Sequence, residues 1–162
     1  LLQHNVLING LCNVHLVQCA LAKSSKDAEL YVARPDNIGQ TSLRQPNNFS
    51  GVRVKVQCRT VDDYAEEHGI DRIDLIKIDV EGAELDVLLG ARGVLSRNPK
   101  PHIIIEFWEE FLQAYGSSCA QVAKLLQGNG YSLFWIGETG LTPYIPLKNA
   151  ELFNVLGVPQ AI

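Results

Sequence analysis

Two apolar segments in the middle of the chain limit its fold more than any other feature. Ile73-Asp74-Leu75-Ile76-Lys77-Ile78-Asp79-Val80 and His102-Ile103-Ile104-Ile105-Glu106-Phe107 are short runs rich in β-branched residues, the pattern of strands buried in a parallel sheet. Between them Leu85, Leu88, Leu89, Arg92 and Leu95 recur at helical spacing, and Pro99 and Pro101 end that helix. Strand, helix, strand in this order belongs to α/β architecture.

The flanking segments extend the pattern. Residues 1–10 read as a helix with Gly10 as its C-terminal cap. Residues 14–21 form a mostly apolar strand. Residues 29–32 and the alternating stretch 52–59 form an inserted antiparallel pair. Thr60-Val61-Asp62-Asp63 has capping-box spacing and opens a helix that stops at Gly69. Ser118-Cys119-Ala120-Gln121 opens another, with Val122, Leu125 and Leu126 on one face. Residues 131–136 and 152–158 are strands. The expected fold is one domain over 1–162: a mostly parallel sheet, helices on both faces, and an antiparallel edge. Residues 34–51 are aperiodic and long for a loop, which makes them a candidate lid.

Composition narrows the partners. With 46% hydrophobic residues and 162 positions, a real core is available. A net charge of −4 and no basic run disfavour nucleic acid, and no apolar run reaches the roughly 20 residues of a membrane span. Cys12, Cys19, Cys58 and Cys119 form no CxxC pair, and His4, His15, His68 and His102 have no zinc-ligand spacing. Reduced thiols in a cytoplasmic protein are expected, with no metal site. The chain lacks Met and opens on Leu1-Leu2 inside an uncapped helix, so sequence upstream is expected.

Ligands of open α/β sheets bind beyond the carboxyl ends of the strands. Here that rule selects Ala20-Leu21-Ala22, Asp79-Val80-Glu81-Gly82 and Glu106-Phe107-Trp108. Asp79, Glu81 and Glu84 place three acids around one glycine turn, and Glu106 ends the neighbouring strand. Such acids can act as a general base towards a hydroxyl or as hard ligands for a divalent cation. Equally, Glu81 and Glu84 can simply complement the N-terminus of the next helix, at roughly 0.3–1 kcal/mol each.

Lys77-Ile78-Asp79-Val80-Glu81-Gly82-Ala83-Glu84 resembles the signature of the FkbM-type methyltransferases, which methylate hydroxyl groups with S-adenosylmethionine. The flanks resemble the family in order: Leu1–Asn5 and Asn9-Gly10-Leu11 its post-strand helix, Ala20-Leu21-Ala22 its third strand end, Thr60–Asp63 its Thr-Leu-Asp-Asp segment, and Ile103–Glu106 its fifth strand. The resemblance implies a Rossmann-like class I methyltransferase sheet. The family's Gly-rich cofactor turn is absent here, so the first strands are expected to lie outside this chain. An uncovered sheet side would then favour a homodimer.

The resemblance also implies roles. Cys19, Ala20, Leu21 and Asp79 would bind S-adenosylmethionine. Asp79 and Glu81 would position it or act as base, and Glu84 and Glu106 would face the acceptor, a hydroxyl on a small molecule or glycan. Two other readings compete. One is a divalent-metal hydrolase or transferase using the 79/81/84 carboxylates; the other is a non-catalytic interaction module. The isolated chain is expected to bind the cofactor weakly or not at all.

Overall fold

The strand–helix–strand unit forms where the apolar runs place it. The structure is a computed structural model that describes residues 1–32, 41–45, 51–146 and 152–160. β4 (Leu75–Ile78) and β5 (His102–Phe107) pair in parallel, in register from Leu75↔His102 to Ile78↔Ile105. Ile103, Ile105 and Phe107 alternate along β5 onto a fully buried face. That face packs beneath the segment between the two strands, through Val87, Leu88, Ala91 and Leu95.

That segment is two helices rather than one: α3 (Glu84–Leu89) and α4 (Arg92–Leu95). The break sits at Gly90, where an added Cβ would lie 2.2 Å from the carbonyl oxygen of Ala22. The backbone leaving the first strand thus occupies the space of a side chain. The rotation at the break makes Val94 the inward residue and leaves Arg92 exposed.

Five strands form the larger sheet, in the order β4-β5-β8-β6-β7, with β6 (Tyr131–Gly137), β7 (Gly140–Pro143) and β8 (Phe153–Pro159). β8 enters between β5 and β6 and is antiparallel to both. α5 (Glu109–Ala114) and α6 (Cys119–Gly128) join the core through Leu112, Val122, Ala123 and Leu126. A smaller sheet of β1 (Ala20–Leu21), β3 (Val52–Arg59) and β2 (Lys26–Val32) has β3 in the middle. α1 (Leu2–Ile8) and α2 (Val61–Glu67) complete the described elements.

The expected mostly parallel single sheet differs from this arrangement. Among the described residues the parallel pairs are β1–β3 and β4–β5, and the other pairings are antiparallel. Two of these come from β8, which is inserted antiparallel between β5 and β6 and leaves β4, β5 and β6 running in one direction. β6 returns into β7 with Gly137 opposite Gly140, and a parallel neighbour needs a crossover of a dozen or more residues. The strand expected over 14–21 pairs only at Ala20 and Leu21, with Val14, Leu16 and Val17 exposed. Helices on both faces were expected, yet the face opposite the core carries exposed Leu75 and Lys77. Cys58 and Cys119 are buried thiols as expected; Cys12 is exposed. Most of the candidate lid, 33–40 and 46–50, lies outside the described residues. Among the described residues no helix is long and apolar enough to cross a membrane.

The N-cap half of each capping box forms, while the Thr60 amide donates to Ser25 Oγ at 3.1 Å instead of to Asp63. Thr60 Oγ1 accepts from the Asp63 amide at 2.9 Å, and Ser118 Oγ accepts from the Gln121 amide at 3.2 Å. Asp62, one residue into α2, reaches across to α4 and accepts from the amides of Gly93 at 2.7 Å and Val94 at 2.8 Å. This carboxylate caps a helix other than its own. Asp62→Ala leaves two amides without an acceptor and is expected to cost about 0.5–2 kcal/mol. A urea denaturation midpoint equal to that of the wild type would refute this role.

Candidate active site

The carboxyl end of β4 runs straight into a tight turn. The Ala83 amide donates to the Val80 carbonyl at 3.4 Å, and the two residues between have positive φ, Glu81 at 54° and Gly82 at 104°. Glu81 is the non-glycine residue with positive φ among those described. For an L residue other than Gly, Asn or Asp, that conformation costs roughly 1–2 kcal/mol.

Glu84 explains how the turn is held. It is 2% exposed, and its Oε1 accepts from the Gly82 amide at 3.1 Å and from the Val80 amide at 3.3 Å. It is the first residue of α3, but its carboxyl turns back to the loop. Burial pushes its carboxyl above the usual range, against the lowering effect of its own amide at the start of α3 and of the Gly82 and Val80 amides.

Gly82 is fixed from the other side. An added Cβ would lie 2.6 Å from the carbonyl oxygen of Phe111 and 2.6 Å from Cδ2 of Tyr115. The turn is thus pinned between a buried carboxylate and the surface of α5.

Glu81, Glu106, Asp79 and Glu84 come together at this edge. Ile78↔Ile105 is the last β4–β5 pair, and one residue further along each strand lie Asp79 and Glu106. Desolvation is the main cause that pushes the Glu81 carboxyl up to about 7, and the charges of Glu106, Asp79 and Glu84 add to it. Glu106 is raised as well, by burial first and then by Asp79, with Lys77 acting in opposition. Lys77 Nζ lies 3.2 Å from Asp79 Oδ2, an exposed pair worth little energetically.

Cys19, Ala20 and Leu21 stand elsewhere, at the edge of the smaller sheet. Ala20 pairs with Cys58 and Leu21 with Arg59, and no hydrogen bond joins them to Asp79. A cavity of about 210 Å³ lies beside Gly82, lined by Lys23 just beyond β1 and by Leu85, Asp86 and Tyr115; residues 19–21 and Asp79 do not line it. Lys23 crosses it to Asp86 at 3.3 Å.

The donor set shows what this edge can accept. Oε2 of Glu81, Oε2 of Glu84 and Oδ1 of Asn154, the cross-strand partner of Glu106, are buried oxygens without a hydrogen-bond partner. Buried acceptors left unpaired are costly, so the site is complementary to a ligand bringing donors or positive charge. The sulfonium, ammonium and ribose hydroxyls of S-adenosylmethionine have that character. Among the described residues no three His, Cys, Asp or Glu side chains are grouped to hold a metal ion, which weighs against the divalent-metal reading.

Tyr115 escaped the sequence reading because α5 itself did. The available signal was Leu112 and Tyr115 three residues apart, followed by Gly116 with φ 80°, a helix end with an inward face.

Comparison with known proteins agrees with the turn. The family described as Methyltransferase FkbM domain matches residues 3–133. The 2-O-methyltransferase NoeI of Sinorhizobium fredii is 41% identical over 64 residues, 35% of this chain and 26% of NoeI. Methyltransferase sdnD of Sordaria araneosa is 27% identical over 163 residues, 82% of this chain and 60% of sdnD. The chain spans less than two thirds of the length of either relative. No solved structure matches it. The matched span takes in both ends of the cavity and the whole acidic turn, and the chain belongs to the FkbM methyltransferase domain family.

Proposed function

We propose that this chain carries the catalytic region of an S-adenosylmethionine-dependent O-methyltransferase acting on a hydroxyl of a small molecule or glycan. The observation that carries the reading is Glu81, a carboxylate in a left-handed turn with its proton affinity raised to about 7. A general base works best when its pKa lies near the working pH. The name of NoeI, a 2-O-methyltransferase, supports oxygen as the methyl acceptor.

The roles follow from position. Asp79 and the β1 end at Cys19, Ala20 and Leu21 would hold the cofactor from the two strand ends. When bound, S-adenosylmethionine supplies a methyl already activated by its sulfonium. Glu81 takes the proton from the acceptor hydroxyl as the oxygen gains the methyl. Glu106, on the adjoining strand end, accepts a hydrogen bond from the acceptor and fixes its orientation. Glu84 serves the acceptor only through the turn that it holds.

Calorimetry with S-adenosylmethionine tests the assignment. Binding by the full-length protein is expected, weakened at least tenfold in Asp79→Ala. No detectable heat with the full-length wild type, together with stabilisation by Mg²⁺ or Mn²⁺ in a thermal melt, would overturn it in favour of metal chemistry.

A further inference from the structure

Tyr115 touches two parts of the molecule that are distant in sequence. Its ring edge lies against Gly82, so close that a methyl group there would collide with Cδ2. Its hydroxyl lies 2.6 Å from Ser42 Oγ and accepts from the Arg44 amide at 2.9 Å. Ser42 is itself tied to β2: the Tyr31 amide donates to the Ser42 carbonyl at 2.8 Å, and the Ser42 amide donates to the Tyr31 carbonyl at 3.0 Å. A chain of contacts therefore runs from the smaller sheet through Ser42 and Tyr115 to the turn that carries Glu81.

We propose that Tyr115 is a positioning residue of the active site, whose ring fixes the Glu81–Gly82 turn while its hydroxyl anchors the 42–44 backbone beside it. The inference rests on the methyl-transfer reading of the turn, and gives it a mechanical link to the second sheet.

Three observations favour this over ordinary packing. Tyr115 is half-buried, and its hydroxyl is spent on a backbone segment rather than on water. Burial raises its pKa, so at neutral pH it stays a neutral hydroxyl able both to donate and to accept. It also lines the cavity beside Gly82, together with Lys23 and Asp86. Movement of the 42–44 backbone would loosen the ring, and a loosened ring would free Gly82 and, with it, the direction in which Glu81 points. Two contacting elements with a shared side chain are expected to respond to each other's perturbation.

The test uses Tyr115→Phe, which keeps the ring and removes the hydroxyl, with Ser42→Ala and Gly82→Ala. Amide hydrogen exchange at Arg44 is expected to quicken about tenfold in Tyr115→Phe, the equivalent of one or two lost hydrogen bonds. Gly82→Ala is expected to quicken exchange at Arg44 too, although the substitution lies on the opposite side of the ring. In Tyr115→Phe the NMR titration midpoint of the Glu81 carboxyl is expected to fall towards the ordinary glutamate range, as water reaches the turn. Glu106, Asp79 and Glu84 face it unchanged in this variant. The S-adenosylmethionine dissociation constant is expected to rise several-fold while the thermal melt stays close to that of the wild type. A purely structural tyrosine would shift the melt and leave the Glu81 midpoint alone.

Wild-type exchange at Arg44 in Gly82→Ala, or an unmoved Glu81 midpoint in Tyr115→Phe, would overturn the proposal. Coupled exchange and a moved midpoint without S-adenosylmethionine binding by the wild type would support Tyr115 as positioning Glu81 and remove the methyl-transfer reading instead.

Discussion

Replacement of Glu81 by glutamine is expected to lower kcat by about 10²–10⁴-fold, the usual contribution of a positioned general base. The wild-type rate should rise with pH and level off above about 7, where the carboxyl is ionised. Glu81→Gln should show a flat profile at the residual level. Stability should move the other way. The carboxyl titrates at 4.5 when unperturbed and at about 7 in the folded protein, so within that window the folded state holds more protons than the unfolded one. Stability is therefore greatest below the lower value and declines as pH rises through the higher one. Glu84 and Glu106 are shifted in the same direction and add to the decline. Urea midpoints at about pH 5 and about pH 8 should differ less for Glu81→Gln than for the wild type. A wild-type rate independent of pH between these limits would remove Glu81 from the role of base.

Gly82→Ala is the second substitution with a large expected effect, this time on the fold. The added methyl would meet both the Phe111 carbonyl and the Tyr115 ring at 2.6 Å. It would also have to adopt a φ of 104°. Overpacking costs about 1–3 kcal/mol and a left-handed conformation about 1–2 kcal/mol, which together give about 2–5 kcal/mol. For a domain of this size the thermal midpoint should fall by about 5–15 °C. Gly116→Ala is the control, since its φ of 80° carries the conformational cost with open space around the position. If the two substitutions lower the midpoint equally, contact with α5 is not what fixes the turn.

The sequence disclosed the elements whose signals are local. β3 and β5 have the bounds that their residue patterns predict, and both N-caps form because Thr60 and Ser118 need only an amide three residues ahead. The meeting of Asp79 and Glu106 was also legible, since parallel neighbours bring their carboxyl ends together. Other features depend on partners that no window of sequence contains. The break at Gly90 is imposed by Ala22, and the Glu81 conformation by Glu84, Phe111 and Tyr115 together. Tyr115 and Ser42 are 73 residues apart, and α5 between its flanking strands is short with a weak periodic signal. The place of β8 was not legible: it enters between β5 and β6, antiparallel to both, where an antiparallel edge was expected, because an apolar run does not record which strands flank it.

The approach of Gly90 to Ala22 has a consequence for engineering. The end of α3 rests there on the main chain that leaves β1, with no side chain at residue 90 to shave or enlarge. That contact is accordingly a fixed dimension of the scaffold, indifferent to the usual swaps among leucine, valine and alanine in the core. A designer wishing to reshape the neighbouring cavity has to work on the tunable wall instead, at Tyr115, Leu85 and Leu89, which line it. The same rigidity makes residue 90 a sensitive place for a reporter: any side chain introduced there would push α3 away from β1 and register at once as a lowered thermal midpoint.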